Sequence, residues 1–198
     1  MARTVARDHA QKRQAILKTA ARFFAENGYD RSSMNQLSEA CGISKALIYH
    51  YYNGKEALLF DIVKNHLESL LGVMQAVDRS GPDAEENLRT LIHAILDAYR
   101  DADAEHQVQN AAMTVLPASE RSYLANLQQQ MVAIAADTLA SVTPGLYETS
   151  PKRLRPVTMS MFGMLNWFYM WHRKGKGISR QEYADLVADL MLKGVRGL

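Results

Sequence analysis

The chain has one cysteine in 198 residues, Cys41, so it forms no internal disulfide and suits a reducing compartment. No apolar run approaches the ~20 residues that a membrane span requires. Behind Met1-Ala2-Arg3-Thr4 there is no hydrophobic leader segment. A cytoplasmic protein with no membrane contact is expected. Strand signals are missing as well, since no stretch alternates apolar and polar residues between turn residues. The marks of catalysis are equally scarce. The six histidines (9, 50, 66, 93, 106 and 172) form no HxxxH pair and have no cysteine partner, so no metal and no cofactor is expected. No G-x-S-x-G, P-loop or G-x-G-x-x-G occurs. His93 and Asp97, four apart on one helix face, read as an ordinary polar pair. A small all-helical enzyme is therefore the weakest of the function classes, and the chain is expected not to be one.

What is present is helical periodicity and an uneven distribution of charge. The net charge is +2. Residues 1–55 carry nine basic and four acidic side chains, a net +5. Residues 56–148 carry five and fourteen, a net −9, and residues 149–198 carry nine and three, a net +6. A basic head on an acidic middle fits phosphate binding that does not spread along the whole molecule.

The informative stretch is Ser33 to Tyr52. Ser33 is an N-cap and Gln36, three residues on, completes a capping box. Leu37 and Cys41 give the first short helix a buried stripe. Gly42 ends it in the left-handed conformation, Ile43 fills the corner, and Ser44 caps a second helix. This is a helix-turn-helix whose second helix suits a DNA major groove. Ile48 must face inward, which leaves Ser44, Lys45, Ala46, Tyr49 and His50 outward. Lysine and hydroxyls suit phosphates, Ala46 permits close approach, and Tyr49 and His50 reach phosphates or base edges.

The run Gly42-Ile43-Ser44-Lys45-Ala46-Leu47-Ile48-Tyr49-His50-Tyr51-Tyr52-Asn53-Gly54-Lys55-Glu56-Ala57-Leu58-Leu59 resembles the signature of the tetracycline-repressor (TetR) family of transcriptional regulators. The likeness extends back through Ala21-Arg22-Phe23-Phe24-Ala25-Glu26-Asn27-Gly28-Tyr29 and covers roughly residues 10–65. It implies DNA contacts from Ser33 and Asn35 at the front of the first short helix, and from Ser44, Lys45, Ala46, Tyr49, His50 and Tyr51 on the recognition helix. It adds Lys55 at the start of the next helix, whose N-terminus is a natural phosphate site. Two positions depart from the pattern. Leu47 stands where many members carry threonine, and Gly54 replaces a serine or asparagine cap, which costs only a few tenths of a kcal/mol.

Along the chain the expected architecture is all-α, with about nine helices. A three-helix head at residues 1–55 precedes a ligand-binding and dimerisation body at 56–198. Residues 1–9, with Arg3, Arg7 and His9, read as a solvated tail or a basic arm. The first helix is expected over 10–27 and the fourth from Lys55 to about Ala76. Others follow over 83–100, 107–116, 119–142 and 156–173, and a last one capped by Ser179 ends near Val195. Residues 101–106 read as a loop or a frayed helix start, 143–151 as a loop, and Pro117 as a stop.

The stretch Met159 to Trp171 is apolar on nearly every face, so a core cannot cover all of it. With the stripe Tyr183, Leu186, Val187, Leu190, Met191 it reads as a subunit interface in a two-fold homodimer, and the family resemblance implies the same pair of helices. Such a dimer would set two recognition helices on an inverted-repeat operator in double-stranded DNA. Ten methionines, among them Met113, Met131 and Met164, suit an adaptable apolar pocket for a small-molecule effector. Asn166 to Arg173 resembles the corresponding helix of family members that respond to acyl-coenzyme A thioesters. That places Trp167, Trp171 and Arg173 near such a ligand, where tryptophan stacks on adenine and arginine meets phosphate. The basic residues Lys152, Arg153, Arg155, Arg173, Lys174, Lys176 and Arg180 flank this helix. An effector-independent architectural DNA-binding protein is the second class, disfavoured because most of the chain would then have no role.

Overall fold

The computed structural model describes residues 2–173 and 175–196. Lys174 of the basic block and the side chain of Arg3 in the expected arm lie outside the described part. Ten α-helices follow in order: α1 (Ala2–Asn27), α2 (Met34–Ala40), α3 (Lys45–Tyr51), α4 (Lys55–Ala76), α5 (Ala84–Ala98), α6 (Asp103–Val115), α7 (Ala118–Val142), α8 (Pro144–Thr149), α9 (Leu154–Trp171) and α10 (Arg180–Arg196). A short 3-10 turn spans Pro151–Arg153. Among the described residues there is no sheet, and the one bridge joins Arg173 to Lys176. No helix among them is long and apolar enough to cross a membrane.

Packing gathers the chain into two units. The first comprises Met1–Leu67 and Asp101–Ala125, and the second Glu68–Arg100 and Asn126–Leu198. In the first, α1 packs on α2 and along α6, and α2 on α3. Its core includes Phe24, Leu37, Ile48, Leu58, Leu59 and Ile62, each at most 2 % exposed. In the second, α5 lies against α10, and α10 against α9. There Leu88, Leu91, Ile92 and Ile95 of α5 are wholly buried, as are Met161 and Leu165 of α9 and Val187 of α10.

Helix starts follow their caps. Asp83 accepts from the amides of Glu85 and Glu86 at 3.0 and 3.2 Å, which opens α5. Ser179 and Glu182 form a reciprocal capping box at α10, at 2.8 and 3.2 Å. Two expectations need correction. The helix expected from residue 10 begins at Ala2, so the stretch read as a tail or arm has helical backbone. Residues 101–106 hold a helix start, one of the two readings the sequence left open: Asp101 takes a left-handed φ of 58°, and α6 starts at Asp103. Its first turn holds Asp103 and Glu105, acids that favour a helix N-terminus. The Thr143-Pro144-Gly145 break carries a short helix, because proline is compatible with the first helical position and Tyr147 is buried. Pro117 stops α6 as expected, since the helix ends at Val115 with Leu116 extended before the proline, and the Pro117 carbonyl accepts from the Arg121 amide at 3.0 Å as α7 begins.

Two side-chain pairings also differ from expectation. His93 bonds Asp185 of α10 at 2.8 Å, while Asp97 pairs with Arg100. A carboxylate brought up by another helix has displaced the neighbour four residues away. Cys41 is half-buried and not a core residue, because α2 ends at Ala40 and leaves it at the C-cap. Burial still pushes its thiol up, away from the reactive thiolate.

Candidate nucleic-acid interface

The helix-turn-helix forms as its local chemistry dictates. Ser33 is extended at φ −123°, its Oγ accepts from the Gln36 amide at 3.3 Å, and Gln36 Oε1 accepts from the Ser33 amide at 3.0 Å. Gly42 takes φ +64°, where any Cβ would be strained. Ser44 then caps α3 through the Leu47 amide at 3.2 Å. Ile48 is fully buried and rotationally fixes the seven-residue helix.

That rotation decides which side chains face out. Ser44, Lys45, Ala46, Tyr49 and His50 are exposed, Tyr49 to 50 %, as are Ser33 and Asn35 on α2. The structure therefore gathers seven of the nine DNA-binding candidates on the outward faces of α2 and α3. Tyr51 is half-buried beneath two imidazoles: His9 tilts over it at 4.7 Å, and His50 meets it edge-on at 5.7 Å.

Lys55 is placed differently from the phosphate contact expected of it. Its Nζ donates to the carbonyl oxygens of Tyr29, Asp30 and Ser32 at 3.2, 3.3 and 3.4 Å. It also sits 4.4 Å from the centre of the Tyr29 ring. All three ammonium protons are thus aimed inward, at the turn that joins α1 to α2. The same turn uses Gly28 at φ +79° and a bond from Ser32 Oγ to the Gly28 carbonyl at 2.7 Å. Burial, then the nearby Glu56 and Asp30 carboxylates, push the Tyr29 phenol up to about 12. Sequence alone could not find this bond, because 23 to 26 residues separate the partners. Lys55→Ala is expected to lower stability by ~1 kcal/mol, the net worth of hydrogen bonds to part-buried carbonyls. It should leave the slope of log affinity against log salt unchanged, whereas Lys45→Ala should reduce that slope by about 1 per half-site without loss of stability. Thermal unfolding and a salt titration read the two apart.

A half-buried pair of histidines lies elsewhere in the first unit. His66 of α4 and His106 of α6 meet edge-to-face at 5.8 Å. Burial first, and His106 second, push His66 down to about 4, and burial lowers His106 too. Both rings are therefore neutral at pH 7. Among the described residues no three His, Cys, Asp or Glu side chains group so as to hold a metal.

The expected effector residues divide between the two units. Met113 belongs to the first unit and is half-buried. In the second, Met131 is buried and Met164 half-buried, but Trp167 and Trp171 are 61 % and 45 % exposed. Arg173 turns back on its own helix and donates to the carbonyls of His172 and Met170 at 3.1 and 3.5 Å, a C-terminal cap. Arg180 is occupied too: its guanidinium donates to the Leu96 carbonyl at 2.5 Å and lies 5.0 Å from the Phe168 ring centre. A cavity of about 610 Å³ does open in this unit, and its lining includes Asp78, Arg79, Asn87, Asp137, Thr138 and Ser141. None of the expected effector residues lines it.

The exposed apolar side chains of α9 and α10 form stripes. Met159, Trp167, Met170 and Trp171 project from α9, and Leu186 and Leu190 from α10, all between 45 % and 61 % exposed.

Comparison with known proteins places this geometry. Residues 16–62 match the bacterial regulatory proteins of the tetR family, and residues 81–195 match a tetracyclin repressor-like C-terminal domain. The HTH-type transcriptional repressor Rv1474c of Mycobacterium tuberculosis is 33% identical over 125 residues, which cover 56% of this chain and 66% of that protein, just under two thirds of its length. A TetR-family transcriptional regulator from Bordetella parapertussis superposes with a TM-score of 0.85 at 29% identity, over 94% of this chain and 96% of that one. The regulator AibR, solved in complex with isovaleryl coenzyme A and operator DNA, gives 0.74 at 25% identity, over 91% and 98%.

Proposed function

This chain belongs to the TetR family of bacterial regulatory proteins, and from that premise we propose that it is a DNA-binding transcriptional repressor that binds an inverted-repeat operator as a homodimer and leaves it when an acyl- or aryl-coenzyme A thioester binds the body. The observation that carries the DNA reading is the exposed face of α3, where Lys45, Tyr49 and His50 project from a helix fixed by buried Ile48. Asn35, Lys45, Tyr49 and His50 set sequence preference, while Ser33 and the amides at the start of α4 hold phosphates. The head at residues 1–55 carries recognition, and residues 56–198 carry dimerisation and the effector. The apolar stripes of α9 and α10 are the dimer face, which also gives Trp167 and Trp171 a role outside the effector site.

The effector class is supported by the likeness to AibR, whose structure holds isovaleryl coenzyme A. An apolar body lined in part by adaptable methionines suits the acyl or aryl portion. A ligand releases DNA only by favouring a body conformation in which the heads are misplaced. Selection from random duplexes should recover an inverted repeat. Calorimetry and operator release should then favour an acyl- or aryl-coenzyme A over the matched free acid by at least ~10-fold. Equal or tighter binding of the free acid overturns the thioester assignment and leaves the operator reading intact.

A further inference from the structure

Among the described residues the first deeply buried position of α1 is Ile16, and Arg7, His9, Ala10, Gln11 and Lys12 before it are exposed. An exposed helical extension of this length has little propensity-based stability of its own, so what docks it matters. Two successive turns make the contact. Arg13 of α1 forms an ion pair with Asp61 of α4. The same pair lies beside Tyr52, the C-cap of α3, and burial followed by the Asp61 charge raises that phenol. One turn earlier, His9 covers Tyr51, with ring centres 4.7 Å apart and planes inclined by 31°.

Tyr51 is therefore gripped on its face by His9 and on its edge by His50 at 5.7 Å and 83°. His50 and Tyr51 are adjacent on the recognition helix, but His9 is 42 positions away on a helix outside the helix-turn-helix. A tyrosine at the end of a seven-residue helix has several rotamers open to it, and a ring lying over its face removes some of them. We propose that His9 is a positioning residue for DNA recognition, which holds the Tyr51 ring of α3 in its DNA-binding rotamer. The inference rests on the repressor reading above, and it adds a contact from outside the helix-turn-helix to that reading. His9 acts through Tyr51, so its worth to binding should vanish when Tyr51 is gone.

The experiment is a double-mutant cycle on the full-length protein, with the duplex selected by the wild type and fluorescence anisotropy as readout. His9→Ala should weaken operator affinity about two- to tenfold, the range of one aromatic pair. His9→Phe keeps a flat ring over Tyr51 and should restore affinity to within about twofold. In a Tyr51→Ala background, His9→Ala should add no further loss. The melting temperature of His9→Ala should stay within about 2 °C of the wild type, since the side chain is exposed. Three results overturn the proposal: wild-type affinity in His9→Ala, a His9→Phe variant as weak as His9→Ala, or losses that add in the double variant. The second would mean that the imidazole itself touches DNA. A wild-type protein that selects no duplex sinks the repressor reading, and this inference with it.

Discussion

Replacing Lys45 and Tyr49 together by alanine should abolish operator binding and leave the protein folded and unchanged in size. The two residues stand four apart, one helical turn, on the outward face of α3, and both side chains are exposed. Exposed side chains of this kind contribute little to folding, so their truncation falls within the ordinary surface range of about ±0.5 kcal/mol. On DNA they count for much more. A good base-edge contact is worth ~1–3 kcal/mol, so the pair supplies ~2–6 kcal/mol, between roughly 30-fold and 10⁴-fold in affinity. In a two-fold dimer each substitution occurs twice, which pushes the loss toward the upper end. A gel-shift on the selected duplex and size-exclusion scattering decide the matter. Retained affinity within about threefold, or a monomer that binds one half-site as tightly as the wild type binds the full operator, would count against the interface.

The second large effect is expected at the other end of the chain. Leu190→Glu should convert the protein to a monomer and cost most of its operator affinity. Leu190 is 53 % exposed and Leu186 45 %, one turn apart on α10, and Trp167 on α9 is 61 % exposed. Large apolar side chains left in water at helical spacing on two helices mark a surface that a partner covers. A carboxylate placed there, and repeated by the two-fold axis, must lose its hydration to be buried. Within one chain the side chain is in solvent, so the fold should persist, with an unchanged far-UV spectrum and cooperative unfolding. Loss of the second half-site contact removes an avidity of ~10²- to 10⁴-fold. Scattering-derived mass and operator affinity are the readouts, and a dimer that survives Leu190→Glu and Trp167→Glu together moves the interface elsewhere.

Local sequence was enough wherever one residue's chemistry decides a backbone conformation. The capping box at Ser33–Gln36, the Ser44 and Ser179 caps and the left-handed Gly42 are legible because each depends on neighbours within a few positions. The same short range explains why the outward set on α3 was legible. One aliphatic residue, Ile48, sets the rotation of a seven-residue helix, and the remaining positions follow from its period. The all-helical class follows likewise from apolar spacing along each segment.

Tertiary structure decided what depends on partners far away in the chain. A lysine at a helix start reads as a phosphate ligand, but Lys55 finds three carbonyls more than 20 residues upstream and turns inward. His93 takes Asp185, 92 positions on, over the nearer Asp97. Arg173, read as a ligand cation, satisfies carbonyls at the end of its own helix. His9, read as part of a tail or arm, lies on a helix and covers the recognition helix's last tyrosine. In each case a charged or aromatic side chain could serve several roles with similar energy. Helical period and caps say where such a residue sits on its own element. Which polar groups stand within ~3 Å of it is settled only when another element packs there, because hydrogen bonds and ring contacts weaken steeply with distance and direction.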